Sequence, residues 1–460
     1  MKQMTSAGCY CLTARRYRKG VWGMNIGKNI DKSIKMLTTF LGFGIGVYHL
    51  LNVGGLLVSS AMTIRVIHLM VLLMIAFLLH PKKKEKLTKT DYITKGLGAL
   101  VSLFTGVYII GRWQSIAESG GVTNNNDTIV GIIMIALVLY ATYKFLGKAL
   151  AIIALVFMLY PFIGPYLPGI LHSKSYTVTR VFNFLYSTTQ GIYGIPMGVS
   201  ASYIVLFCIF GAFLSEFGVG DFMFKLSRSL TSNLIAGTAK TAVIFSALAG
   251  MISGSAAGNV AITGSFTIPM MKKEGYKPHV AAAVEALAST GGQIMPPVMG
   301  AAAFIMAEII GQPYKNIMKA AIIPAILYFL AVYVIVHLTA LKGKIDYSEE
   351  KAKSDKQPIL AVIKEGWYYV IPIAVLIYLL LQGLSPFKAA YYSIFSMLIV
   401  YLIAKRDFSL DFVKKIFRSI VEGTYDTVSI AIACAASGIV IGIITLTGVG
   451  AKLSNLIITI

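Results

Sequence analysis

The sequence predicts an all-α polytopic membrane protein, and three observations carry that prediction. Of 460 residues, 57% are hydrophobic and 13% are charged, against about 25% charged in soluble chains. The mean hydropathy is +0.75. The apolar residues fall in blocks long enough to cross a bilayer as helices, which takes roughly 20 residues each. A soluble enzyme, a coiled coil and a disordered chain are excluded. Four cysteines are too few for a disulfide scaffold, and apart from Cys9-x-Cys11 they lack metal-ligand spacing. The net charge of +22 sits in segments between apolar blocks. That is the pattern of cytoplasmic loop charges in a membrane protein, so nucleic acid is not an expected partner and membrane lipid is.

Residues 1–35 are basic, with Arg15, Arg16, Arg18 and Lys19. No apolar run followed by a cleavage site marks them as a signal peptide, so they read as a cytoplasmic tail. Met24 offers an alternative start. Spans are expected at 36–58, 62–80, 94–113, 128–146 and 149–167. The 81–90 loop holds five lysines, whereas 114–127 has no Lys or Arg but has Glu118, Asp127 and three Asn. The charge bias places the N-terminus and the lysine loop inside and 114–127 outside. Arg65 and His68, one turn apart, and His49 read as structural, and Trp22, Trp113 and Trp367 as interfacial anchors.

Residues 168–195 are richer in Tyr, Thr and Ser and read as an external connector, partly an amphipathic interfacial helix. A span at 197–217 and an amphipathic segment at 219–235 follow. Gly, Ala, Ser, Thr and Pro then dominate 236–312. Ordinary spans return at 316–341, 366–383 and 387–404, with a charged loop at 342–365, a second amphipathic segment at 405–425 and a small-residue segment at 428–449. The order of span, basic amphipathic segment and small-residue segment therefore occurs twice. Such repeats with broken helices are characteristic of secondary transporters. The expected organisation is a tail over 1–35, a four-helix region over 36–148, a connecting span and linker over 149–195, and a larger region over 196–460.

Two runs carry the chemistry. Gly250–Gly264 reads GMISGSAAGNVAITG. A helix interrupted there would free backbone groups, which membranes tolerate where those groups face protein or a wet cavity. Ser253, Ser255, Asn259 and Thr263 add neutral oxygens suited to a hard cation such as sodium. The same composition also suits close helix packing, and composition alone leaves both readings standing. Ser289–Gly300 reads STGGQIMPPVMG. Two glycines followed by two prolines cannot continue a regular helix, and Ser289, Thr290 and Gln293 offer polar atoms to an ion or substrate. A simple proline kink is the other reading. Glu285 lies in AAAVEALAS, where an intramembrane carboxylate suggests a charge carrier, for a proton or a cation. Lys240 and Glu308 have the length to reach an interface.

Ser253–Ser255 with Asn259, the run GSFTIPMMKKEGYKPH at 264–279, the run AAAVEALASTGGQIMPPVMGAAAFIMAE at 281–308, and Pro313-Tyr314 together resemble the large membrane subunit of TRAP (tripartite ATP-independent periplasmic) transporters. The style resembles the TAXI-associated branch, in which small and large membrane subunits are fused: the Arg65–Leu69 stretch is similar to the fused small-subunit region, and CAASGIVIGIITLTGVGAKLS at 434–454 to the start of the second large-subunit repeat. The resemblance covers 36–460 and is most specific at 246–314. It implies an elevator-type fold with inverted repeats and a re-entrant hairpin in the inner membrane, N-terminus cytoplasmic. It also implies sodium-coupled uptake of an organic acid or amino acid delivered by an extracytoplasmic solute-binding protein, with no cofactor besides the coupling ion. By that resemblance Ser253, Gly254, Ser255 and Asn259, completed by Ser289, Thr290, Gly291 and Gly292, would hold sodium. Thr263, Gln293, Pro296 and Pro297 would border a carboxylate or amino-acid substrate.

Two features depart from the family pattern. Its Gly-Gly-Pro-Ala-Lys run stands here as Ala236-Gly237-Thr238-Ala239-Lys240. The second hairpin expected in the family would follow Ile460, so the chain reads as a fragment or a truncated product, the latter an inactive remnant unless another polypeptide completes it. A binding-protein-independent elevator symporter of anions, or a channel, shares the hairpin signature. A membrane enzyme is disfavoured, because no nucleophile–base set or His-Glu-x-x-His motif is present.

Overall fold

The computed structural model describes residues 30–79, 89–343 and 358–459. Most of the basic tail with Trp22, the lysines at 82–86 and most of the charged 342–365 loop lie outside the described residues. Every regular element among the described residues is a helix, and ten helices are long and apolar enough to cross a membrane. The chain divides into two compact units, one of residues 206–423, the other of 30–205 with 424–459 among the described residues.

In the second of these, α1 (Ile30–Val53), α2 (Ala61–Leu79) and α3 (Lys89–Glu118) are followed by α4 (Asn125–Ala141). Gly98 and Gly106 on α3 face Phe77 and Met70 of α2 so closely that a Cβ at either would overlap the ring or thioether. Small residues let helix backbones approach where lipid supplies no hydrophobic drive for packing. α3 runs past the expected end at 113 because no breaker occurs before Gly120 and Gly121, both at positive φ. The connection therefore shrinks, and Asp127 becomes a buried residue in the first turn of α4. It caps that helix with Asn124 and receives Tyr108 Oη at 2.7 Å and the Arg112 guanidinium at 3.1 and 3.2 Å.

α4 loosens into a π-helical turn at Thr142–Leu146, and Gly147 turns the chain into α5 (Lys148–Ile163). The short α6 (Val178–Tyr186) is amphipathic, as the connector composition implied. Tyr186 is fully buried, with its hydroxyl on Thr105 O at 2.6 Å. After α7 (Ile195–Val199) a second π-helical turn covers Ser200–Ile204.

His49 and His68, read separately from sequence, meet. His68 Nδ1 lies 2.9 Å from His49 Nε2, and His68 Nε2 lies 2.9 Å from Ser200 Oγ, all buried. Arg65 donates to Tyr193 O at 2.7 Å. These groups satisfy one another in a low-dielectric interior, as buried polar groups must.

The unit at 206–423 holds most of α8 (Val205–Glu216), then α9 (Val219–Thr231), α10 (Gly237–Ser253), α11 (Ala256–Lys273), α12 (Pro278–Gly291), α13 (Ala301–Ile310) and α14 (Tyr314–Lys342). It continues with α15 (Ile359–Gly366), α16 (Val370–Leu381) and α17 (Pro386–Lys405). Its core joins Ala239, Ala242 and Val243 of α10 to Ala281, Val284 and Ala288 of α12, with Val332 and Val336 of α14. The outer face of α14 is aliphatic and bare, with Ile323 69% exposed, a surface for lipid rather than water. Lys225 and Glu365 form a 2.8 Å ion pair linking α9 to α15.

The expected division between an amphipathic segment at 405–425 and a small-residue segment at 428–449 is absent. Leu410–Thr447 is a single helix, α18, followed by α19 (Val449–Thr459). No proline interrupts it. Gly423 stays helical, with no room for a Cβ beside the Ile209 backbone.

Candidate functional site

Two helix interruptions in the 206–423 unit face each other. The first separates α10 from α11. Gly254 ends α10 in the left-handed region at φ 57°, which glycine adopts without a Cβ penalty. Ser255 then caps α11, its hydroxyl accepting from Gly258 N–H at 3.2 Å, the usual work of an N-terminal serine. The second separates α12 from α13. After Gly291 a single 3-10 turn covers Gly292–Ile294, and a bend and turn lead through the cis Pro296–Pro297 bond to Gly300.

Backbone meets backbone between them. A Cβ on Gly250 would overlap Gly292 Cα, and one on Gly254 would overlap the carbonyl oxygen of Met299. Val298 N–H donates to Met251 O at 3.3 Å, and Gly300 N–H to Gln293 O at 2.7 Å. Met299 sits at φ 58°, a conformation that L residues hold only where surrounding structure enforces it. Tyr314 does part of that enforcing: its buried hydroxyl donates to the carbonyls of Pro297, at 2.9 Å, and Val298, at 2.5 Å, and its ring stacks on Phe304 at 4.5 Å.

Asn259 is fully buried beside this contact. Its Nδ2 donates to Ser246 O at 2.8 Å and lies against the space above Gly250 and Gly292. Its Oδ1 has no hydrogen-bond partner among the described residues, and neither does the buried Ser253 Oγ. Leaving a buried oxygen unmatched costs about 1–3 kcal/mol, and these two atoms stand on either side of the Gly254 turn, one at the end of α10 and one in α11.

The other sequence-selected residues divide clearly. Ser289 is buried and lies on Glu285. Thr290 is exposed and its hydroxyl returns to Ala286 O at 2.7 Å. Gln293 is exposed, Pro296 is half-buried and Pro297 is buried. Thr263 is fully buried with its hydroxyl on Glu285. Glu285 itself is enclosed by Thr263, Thr267, Ser289 and Ser246. Lys240 is buried, its ammonium 4.8 Å from the Tyr333 ring centre, and Glu308 is exposed. In the turn beyond α11, burial raises the Glu274 carboxyl above its ordinary range despite a hydrogen bond from Thr238.

Sequence reasoning missed Ser246, Thr267, Met299 and the clamping role of Tyr314. A signal existed for Thr267, since Thr263–Thr267 and Glu285–Ser289 share i,i+4 spacing and so point from one face of each helix. Ser246 and Met299 carried none.

Apolar spans surrounding two opposed helix breaks define a polytopic membrane protein built as secondary transporters are built. The chain belongs to the family described as tripartite ATP-independent periplasmic transporter, DctM component, whose sequence profile matches residues 133–460. This is a family of transport components, not of enzymes. The chain is 25% identical over 202 residues to the C4-dicarboxylate TRAP transporter large permease protein DctM of Pseudomonas aeruginosa, covering 43% of this chain and 46% of that one. It is 24% identical over 220 residues to the uncharacterized protein y4mL of Sinorhizobium fredii, covering 47% and 51%. It is 24% identical over 181 residues to the uncharacterized protein YgiK of Salmonella typhimurium, covering 39% and 40%. The chain thus matches about half the length of these curated relatives, or less.

Proposed function

We propose that this chain is the permease part of a TRAP system of the inner membrane, coupling uptake of an organic acid or amino acid to sodium. An extracytoplasmic solute-binding protein, of the TAXI type, delivers the substrate. The observation that carries this reading is the backbone contact of Gly250 with Gly292 beside the unmatched Asn259 Oδ1 and Ser253 Oγ. Sodium is cargo here, and neutral oxygens fixed by helix breaks suit a hard monovalent cation. Asn259 and Ser253 supply side-chain oxygens, and the carbonyls freed around Gly254 and Gly292 complete the set. Ser255 acts by holding the start of α11, and Ser289 by orienting Glu285.

The substrate reading is a carboxylate, supported by the name of the Pseudomonas relative. Gln293 and Pro296, the more open positions of the second break, would border it. Thr263, committed to Glu285, serves the interior. Movement is of the elevator type with inverted repeats: the helices carrying the two breaks would cross the membrane as a body. The N-terminus is cytoplasmic by the charge bias of the tail and of the 81–90 loop.

The test is uptake into proteoliposomes holding this protein together with an extracytoplasmic solute-binding protein of the TAXI type. Labelled C4-dicarboxylate and labelled glutamate are offered under an inward sodium gradient. Accumulation that needs both sodium and the binding protein supports the proposal. Accumulation that ignores both would sink it and favour a stand-alone anion carrier.

A further inference from the structure

The end of α11 opposite its helix break carries a pocket of its own. Gly264, Ile268 and Lys272 form one row at i,i+4 spacing along the helix, and Pro269 and Lys273 form the next. These five residues line an open pocket of about 500 Å³, within the range of roughly 300–1,000 Å³ that small-molecule sites occupy.

Each wall has a cause in the sequence. Gly264 has no side chain, and a Cβ there would meet Glu285 Cγ at 3.1 Å and Ile268 Cδ1 at 3.2 Å. One end of the hollow is therefore bare backbone. Ile268 is half-buried and Pro269 exposed, so the sides are hydrocarbon. Lys272 and Lys273, both exposed, bring two positive charges to the other end.

Lysines in a last turn suit the carbonyl end of any helix. Here they also lack a counter-charge: neither Lys272 nor Lys273 forms an ion pair among the described residues. The one acid in the 272–279 run, Glu274, is half-buried and accepts from the Thr238 hydroxyl of α10. Arg228 of α9 draws on the same carboxyl. Lys277 and His279 are exposed as well. The segment thus presents a basic face whose single acid is engaged elsewhere.

Hydrocarbon walls leading to a pair of cations suit an amphiphile with an anionic headgroup. A small soluble anion would gain nothing from Ile268 or Pro269. Lysine stems lie along apolar surface while the ammonium stays at the water boundary, and basic pockets between membrane helices are suited to anionic lipid headgroups. Phe266, on a neighbouring face of α11, is 38% exposed and extends the apolar surface beside the hollow.

We propose that the pocket formed by Gly264, Ile268, Pro269, Lys272 and Lys273 binds an anionic phospholipid. An acyl chain lies against Gly264, Ile268 and Pro269, and the phosphate meets the two ammonium groups. Binding is non-covalent, and the site stands independently of the sodium reading.

Native mass spectrometry of the purified chain in detergent tests it, with dioctanoyl phosphatidylglycerol, dioctanoyl phosphatidylcholine and inorganic phosphate as probes. Wild type should hold phosphatidylglycerol roughly thirtyfold more tightly than phosphatidylcholine, the effect expected of two lysines at an anionic lipid. Lys272→Gln combined with Lys273→Gln should erase that preference. Both side chains are exposed, so the fold should survive the change. Pro269→Trp, which fills the hollow, should weaken binding of both lipids. Lys315→Gln combined with Lys319→Gln removes equal charge from the first turns of α14 and should leave the preference intact. Equal affinity for the two lipids would overturn the proposal. So would a preference that survives the loss of Lys272 and Lys273, or one that falls as far in the α14 control. Unchanged lipid binding in Pro269→Trp, or inorganic phosphate held as tightly as phosphatidylglycerol, would also overturn it. None of these measurements involves sodium, so this site and the transport reading fail separately.

Discussion

At Gly292 there is no room for the carbon that any other residue would add. The neighbouring atom is Gly250 Cα, backbone rather than the end of a flexible side chain, so Gly292→Leu must part the two breaks. Overpacking of this kind costs about 1–3 kcal/mol, and the variant should unfold at lower temperature and lose sodium binding. Ser255→Ala removes the cap on Gly258 N–H, a loss of about 1 kcal/mol, and should weaken sodium affinity through a loosened α11. Unchanged sodium dependence in both variants would refute the site. Ala236 makes the opposite prediction. It holds φ 62°, and the left-handed region costs an L residue roughly 1–2 kcal/mol. Part of that is returned by the greater unfolded-state entropy of glycine. Ala236→Gly should therefore raise the thermal midpoint in detergent, and a lowered midpoint would show that the conformation is not strained.

Among the elements, the hydrogen-bonded row from His49 on α1 through His68 on α2 to Ser200 is the clearest case of coupling. Replacing His68 by Leu leaves the buried His49 Nε2 unmatched, at about 1–3 kcal/mol. Replacing both histidines by Leu should cost less than the sum of the single changes, with a coupling of about 0.5–3 kcal/mol. Additive losses in thermal or denaturant unfolding would contradict the pairing. Most spans were legible because twenty apolar residues leave few alternatives to a membrane helix. The breaks were legible because Gly254 and the Gly291-Gly292 and Pro296-Pro297 pairs are local signals of chain geometry. Illegible were the features made by distant residues: Ser246 reaching Glu285 from another helix, Tyr314 holding the Pro297 and Val298 carbonyls, and Asn259 lying over two glycine backbones. Between 405–425 and 428–449 the composition changes while the element does not, and composition alone does not mark a helix end. In α18 the polar and small-residue parts share one unbroken backbone hydrogen-bond ladder, and nothing in the sequence interrupts it.

For the molecule as a whole, the two breaks give one unit of the chain a cluster of fixed backbone and side-chain oxygens that ordinary spans lack. A ligand that binds such a site in the folded state and not in the unfolded state must stabilise the fold by mass action, about 2.7 kcal/mol at a hundredfold excess over Kd. The most direct test of the account is therefore the thermal midpoint of this chain in detergent, titrated with sodium chloride and, at equal ionic strength, with potassium and choline chloride. Sodium should raise the midpoint in a saturable way while potassium and choline do not, and Gly292→Leu should abolish the difference. An equal response to all three salts, or a sodium response that survives Gly292→Leu, would contradict the assignment of the paired breaks as the cation site.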